Sequence, residues 1–223
     1  MRKLNLRPST ISSKVVMALA GVFLMLFLVV HLFLNLLMLM GDEGETFSNA
    51  VVFMTENPAV KIFEYVLFAG FIIHIIIGLL IEIKNYFARP VKYAVSNTSK
   101  TSFFSKYMIH TGLIILIFLI IHFTHFFFVK LNLVDIPGDI TTDNHDFYAM
   151  AKYLFKNGIY TLIYIISFVF LGFHLNHAFQ SAFQTLGLNH PRYTPFIKAL
   201  SSIYAIVVSM GYSIIPIYFY FFY

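Results

Sequence analysis

Five apolar runs dominate the chain, each long enough to cross a bilayer. A helix needs about 20 residues to span a hydrocarbon core of roughly 30 Å. The runs extend over Val15 to Met40, Ala59 to Tyr86, Phe103 to Val129, Asn157 to Phe183 and Phe196 to the C-terminus. In lipid the backbone must satisfy its own hydrogen bonds, so runs of this length fold as helices. Only 11% of the 223 residues are charged, against about 25% in soluble domains. The pattern predicts one domain over residues 1–223, an all-α integral membrane bundle of five transmembrane helices. The first run outlasts the roughly 7–15 residues of a signal-peptide core and no small-residue cleavage site follows it, so it reads as a retained span.

Turn residues punctuate the runs. Gly41-Asp42-Glu43-Gly44 closes the first, Asn57-Pro58 opens the second and Arg89-Pro90 ends it. A polar loop runs from Asp135 to Asp146 with Pro137 and Gly138, and His190-Pro191 and Pro195 separate the last two. Pro216 inside the fifth run predicts a kink or a frayed end. Tyr65, Tyr86, Tyr107, Tyr153 and Tyr204 are expected near span ends, where amphipathic rings prefer to sit.

Charge alternates from loop to loop. Arg2, Lys3, Arg7 and Lys14 precede the first run, Lys84, Arg89, Lys92, Lys100 and Lys106 lie between the second and third, and Arg192 and Lys198 between the fourth and fifth. The intervening loops carry Asp42, Glu43, Glu45, Glu56 and Glu64, then Asp135, Asp139, Asp143 and Asp146, with Lys61, Lys130, Lys152 and Lys156 as their basic residues. The positive-inside rule therefore predicts a cytoplasmic N-terminus and a C-terminus outside. The net charge of +5 belongs to this asymmetry. It is not a nucleic-acid signal, because no basic stretch is interleaved with the residues of a soluble binding face. The chain has no cysteine, which excludes disulfides, thioether-attached haem and iron–sulfur clusters held by its own side chains.

Histidines carry the chemistry. His31, His74, His122, His125, His174 and His177 fall within the apolar runs, His110 near the start of the third, and His145 and His190 in loops. Ionisable groups in a span are costly and generally serve a function. Lys14 to His31 is 17 residues and Lys106 to His122 is 16, or about 25 and 24 Å of helix. His74 to Lys84 and His174 to Gln184 are each ten, or about 15 Å. His31 and His122 thus share a depth nearer the outside, and His74 and His174 one nearer the cytoplasm. Two imidazoles from different helices at one depth are what an iron porphyrin with both axial positions filled requires, and a four-helix core can present two such pairs. Depth leaves His125 and His177 open as alternatives, since each lies three residues from its neighbour.

A lone membrane histidine can simply hydrogen-bond across helices, but four matched by depth on four helices are poorly explained that way. A histidine proton relay, as in a proton-coupled transporter, is the competing reading. It is short of carboxylates, for the spans contain almost none besides Glu82, near an end. Gly70 and Gly78, four residues either side of His74 on one face, leave room for a flat macrocycle or for close helix packing; Gly172 and Gly112 invite the same two readings. Asn35, one turn beyond His31, is a candidate partner for a quinone or a propionate. Gln180, Ser181 and Gln184, with Lys84 and Arg89, are candidates at the cytoplasmic end, where ordinary interfacial polarity explains each equally well. The loop Ser96 to Ser102 suits either docking of a peripheral subunit or simple exposure.

At these residues a family resemblance enters. His31 late in the first run, Thr111-Gly112 followed ten residues later by His122, and Phe173-His174-Leu175-Asn176-His177-Ala178-Phe179-Gln180-Ser181-Ala182-Phe183-Gln184-Thr185-Leu186-Gly187 resemble the cytochrome b membrane anchor of succinate dehydrogenase and fumarate reductase, in its single-polypeptide, di-haem form. The resemblance covers nearly the whole chain. It implies two non-covalent haem b groups with axial ligand pairs His31/His122 and His74/His174. It also implies flavoprotein and iron–sulfur subunits on the cytoplasmic side, menaquinone or another quinone as electron partner, and residence in a bacterial cytoplasmic membrane. The succinate site would lie in the partner subunits, so the chain is an enzyme only as their quinone-reactive subunit. Some fumarate-reducing members have a glutamate two residues before the fourth-helix histidine. Here that position is Gly172, which favours succinate oxidation. The cytochrome b subunit of another quinone-linked dehydrogenase is the nearest alternative, and a bare anchor without cofactor the plainest.

Overall fold

A computed structural model describes residues 10–87, 107–136, 138, 140 and 143–223. Arg2, Lys3, Arg7, Arg89, Pro90, Lys92, the Ser96–Ser102 loop, Lys106, Pro137 and Asp139 lie outside the described residues, as does the expected start of the third span at Phe103.

Among the described residues the chain is predominantly helical, without a strand. Helix α1 spans Thr10–Leu36 and ends in a 3₁₀ turn, Leu37–Leu39. A short α2, Glu45–Glu56, leads to α3, Pro58–Phe87. Helix α4 starts at Met108, passes through a π-helical turn, Phe123–Phe127, and finishes at Lys130. Then come α5, Phe147–Phe155, α6, Gly158–Thr185, and α7, Thr194–Phe222. Five of these, α1, α3, α4, α6 and α7, are long and apolar enough to cross a membrane. We call the face on which α1 begins the N face, and the opposite face, where the chain ends, the C face.

Local chemistry sets the ends. Pro58 occupies the first turn of α3, where its missing N–H costs nothing, and the Asn57 side-chain oxygen accepts from Ala59 N at 2.9 Å. Asn157 caps α6 in the same way through Ile159 N, and Asp146 caps α5 through Ala149 N at 3.0 Å. Asp42 accepts from Gly44 N at 3.1 Å and Thr46 N at 2.9 Å ahead of α2. The turn into α2 needs a left-handed residue that leaves space. Gly44 has φ +89°, and a Cβ there would overlap the ring of Tyr148.

Helix α1 packs along α3 and α6, and α4 along α6, while α7 lies on α6 and α1. The four helices α1, α3, α4 and α6 therefore form a ring in which α1 faces α4 and α3 faces α6 across the diagonals. Contact between α3 and α4 is sparse. Two polar ties fix α7 to α1: the Tyr204 hydroxyl donates to Met25 O at 2.7 Å and that of Tyr212 to Leu28 O at 2.9 Å. A third links α6 to α7, where Ser201, wholly buried, donates to Asn176 Oδ1 and accepts from Gln180 Nε2, both at 2.9 Å. Leu26, Phe33, Ile62, Ile72, Ile117 and Ile206 stand exposed on the outside, the inverse of a soluble protein.

Several expectations are corrected. Helices α2 and α5 occupy stretches that read as parts of linkers or span edges. Both are short amphipathic helices on the C face, holding Phe47, Tyr148, Met150 and Phe155 against the bundle. Of the kink or frayed end expected at Pro216, the fraying does not occur, since α7 continues to Phe222; Pro216 and Phe219 are fully buried, Phe219 beneath Tyr148 and Phe155, and that packing holds the helix past the lost hydrogen bond. Tyr204 is not an interfacial ring, because its hydroxyl finds a carbonyl within the bundle.

Candidate functional site: two histidine pairs

The two diagonals each carry one histidine pair. His31 of α1 and His122 of α4 stand with ring centres 6.0 Å apart and planes at 79°. His74 of α3 and His174 of α6 stand 6.3 Å apart at 69°. The ring contacts are made by His122 and His174, not by the neighbours that depth had left open. His125 turns to α6, where its Nδ1 meets the Tyr164 hydroxyl at 3.0 Å and its ring stacks on Tyr164 and meets Tyr160 edge-on. The π-helical turn begins directly after His122 and contains His125. Widening the helix by one residue there separates the directions of two histidines that α-helical spacing would set about 60° apart.

Aromatic rings line the C-face pair. Phe27 stacks on His31 at 5.2 Å and Phe118 on His122 at 5.8 Å. Tyr164, almost wholly buried, fills the corner between His122 and His125, and Tyr212 approaches His31. Asn35 donates to His31 O at 2.6 Å, with the same amide nitrogen 3.4 Å from His31 Nδ1. At the N-face pair the neighbours are small. A Cβ on Gly21 would lie 3.7 Å from the His74 ring, and one on Gly112 3.5 Å from the His174 ring.

Those positions belong to a repeat that histidine depth alone does not reveal. Gly21, Phe27 and His31 on α1 recur with identical spacing as Gly112, Phe118 and His122 on α4. In both copies the histidine meets its counterpart, the phenylalanine four residues earlier stacks on it, and the glycine lies against the imidazole of the following long helix. The repeat was the available signal for Gly21. Gly70 and Gly78, by contrast, let α3 close on α1, against Phe23 and Met17, and Gly172 does the same for α6 and Ser209 of α7. Gln180 belongs to the Asn176–Ser201 network. Lys84 and Gln184 are exposed, and so is His110.

What can these pairs hold? A metal–imidazole bond is about 2 Å long and the ring centre lies roughly 1.1 Å further, so two imidazoles on opposite sides of one metal stand about 6 Å apart. Both pairs meet that spacing. His74 Nδ1 and His122 Nδ1 are buried without a hydrogen-bond partner, an unusual cost inside a span unless the ring serves a ligand. No group of three or more metal-binding side chains occurs among the described residues. Two nitrogens leave a bare metal ion short of donors, whereas a porphyrin brings four of its own. The residues thus fit bis-imidazole haem. No protein-family model, curated protein or solved structure matches the chain.

Proposed function

We propose that this chain is the di-haem cytochrome b membrane anchor of a succinate:quinone oxidoreductase in a bacterial cytoplasmic membrane. The observation that carries this reading is the pair of imidazole contacts, 6.0 and 6.3 Å, across both diagonals of one four-helix ring. His74 and His174 hold one haem b toward the N face, and His31 and His122 the other toward the C face. When bound, haem b supplies reversible one-electron chemistry. Everything else falls to the side chains. The imidazoles present lone pairs, Gly21 and Gly112 leave space beside the N-face rings, and Phe27, Phe118 and Tyr164 exclude water from the C-face pair. With the N face cytoplasmic, as the basic loops require, flavoprotein and iron–sulfur subunits dock there, and electrons pass between them and menaquinone or another quinone.

The test is optical. The purified chain with its partners should give reduced-minus-oxidised b-type spectra, and a pyridine haemochrome assay should count two protohaems per chain. A colourless preparation sinks the reading.

A further inference from the structure

The Thr111 side chain lies beside the N-face pair, and its single hydroxyl proton can be traced. Thr111 Oγ1 is 2.9 Å from Met108 O and 3.2 Å from His174 Nδ1. A carbonyl oxygen only accepts, so the hydroxyl proton goes to Met108 O. Toward His174 the hydroxyl then has only lone pairs to offer, so the proton between them belongs to His174 Nδ1. The ring is the Nδ1–H tautomer, and Nε2 keeps the free lone pair that a metal needs. The residue is 9% exposed, so water competes poorly for the bond. The other three imidazoles are served differently. His74 Nδ1 and His122 Nδ1 have no partner, and His31 Nδ1 faces, at 3.4 Å, the amide nitrogen of Asn35, whose closer bond is to His31 O.

We infer that Thr111 is the positioning residue of the N-face site, holding His174 in the tautomer and orientation that presents Nε2 to iron. This rests on the haem reading above. A hydroxyl that accepts from the distal ring nitrogen raises the basicity of the ligating one, and the bond from the same hydroxyl to Met108 O strengthens that acceptance. A more basic imidazole favours the oxidised metal. Thr111 therefore lowers the potential of the N-face haem relative to the same site without it.

The experiment is a spectropotentiometric titration of the full complex with Thr111→Val, Thr111→Ser and wild type, using the haem lost in His74→Ala to identify the N-face signal. Valine keeps the shape and removes the acceptor. We expect Thr111→Val to retain two haems and to shift the oxidised-to-reduced ratio of the N-face haem about tenfold toward reduced at fixed ambient potential, an upward move of about 59 mV for one electron. The C-face haem should not move, and Thr111→Ser should restore the wild-type value. If Val also costs the N-face haem, the Ser variant carries the test, since it must hold both haems at wild-type potentials. Two haems with unmoved potentials in Thr111→Val, or a Ser variant displaced from wild type, overturn the inference and leave the haem reading intact. A wild-type complex without haem overturns both.

Discussion

The four paired histidines differ from the chain's other five in what their rings meet, and that difference sorts their expected phenotypes. His74→Ala should remove one haem and leave the other, and His31→Ala should do the reverse, as counted by pyridine haemochrome. His125→Ala should retain both, because its Nδ1 is spent on Tyr164 and its ring lies against α6; loss of a haem there would break the assignment. On the C face, Asp42 offers a pH test outside the membrane. The Thr46 side chain and then its backbone N–H hold the Asp42 carboxyl below its ordinary value, with Gly44 N adding to them. A depressed carboxyl stabilises the start of α2 fully above its unfolded value of about 3.9 and loses that contribution as pH falls through the folded one. The protection of the Gly44 and Thr46 amides, measured against exchange of an unstructured chain at the same pH, should therefore fall on acidification below about pH 4, and Asp42→Ala should abolish the dependence.

Among the elements, α6 and α7 form the best-sealed interface, and its centre is polar. Ser201→Val leaves Asn176 and Gln180 facing an apolar surface, at a cost of about 1–3 kcal/mol, measurable as a lower midpoint in detergent denaturation. The Lys130–Glu64 ion pair, 2.9 Å long between the ends of α4 and α3, is partly exposed. Lys130→Met should shift stability by less than about 1 kcal/mol. The long helices were legible because an apolar run records the thickness of hydrocarbon. Their ends were less so: α1 already includes Thr10 to Lys14, ahead of the apolar run at Val15, because backbone hydrogen bonding continues where apolarity stops. Helices α2 and α5 escaped notice since short amphipathic segments with acidic flanks resemble polar loops. The π-helical turn has no sequence signal at all, yet it is what parts His122 from His125. Depth along each helix pairs the histidines whose rings meet, because diagonal neighbours in a ring of four lie at equal height. Thr111's role stayed hidden, since a hydrogen bond to a residue 63 positions away leaves no mark in local spacing.

At the scale of the whole molecule, the five apolar helices among the described residues put the start of α1 and the end of α7 on opposite faces. Alkaline phosphatase fused after Tyr223 should be active outside the cell and a fluorescent protein at the same point dark; the converse would invert the bundle and move the proposed docking face to the other side. The described helices are unequally secured. Helix α7 buttresses α1 and α6, and α4 is seated on α6, but the apolar stretch of α3 contains no buried residue, and α3 leans chiefly on α1. It is the stave that loosens first from this barrel. Bilayer thickness acts on tilt at a modest cost per ångström, so a membrane too thin or too thick will be felt earliest by α3. A ligand shared by His74 and His174 would be retained only for as long as that one stave stays in place, which would make the surrounding lipid a participant in keeping it.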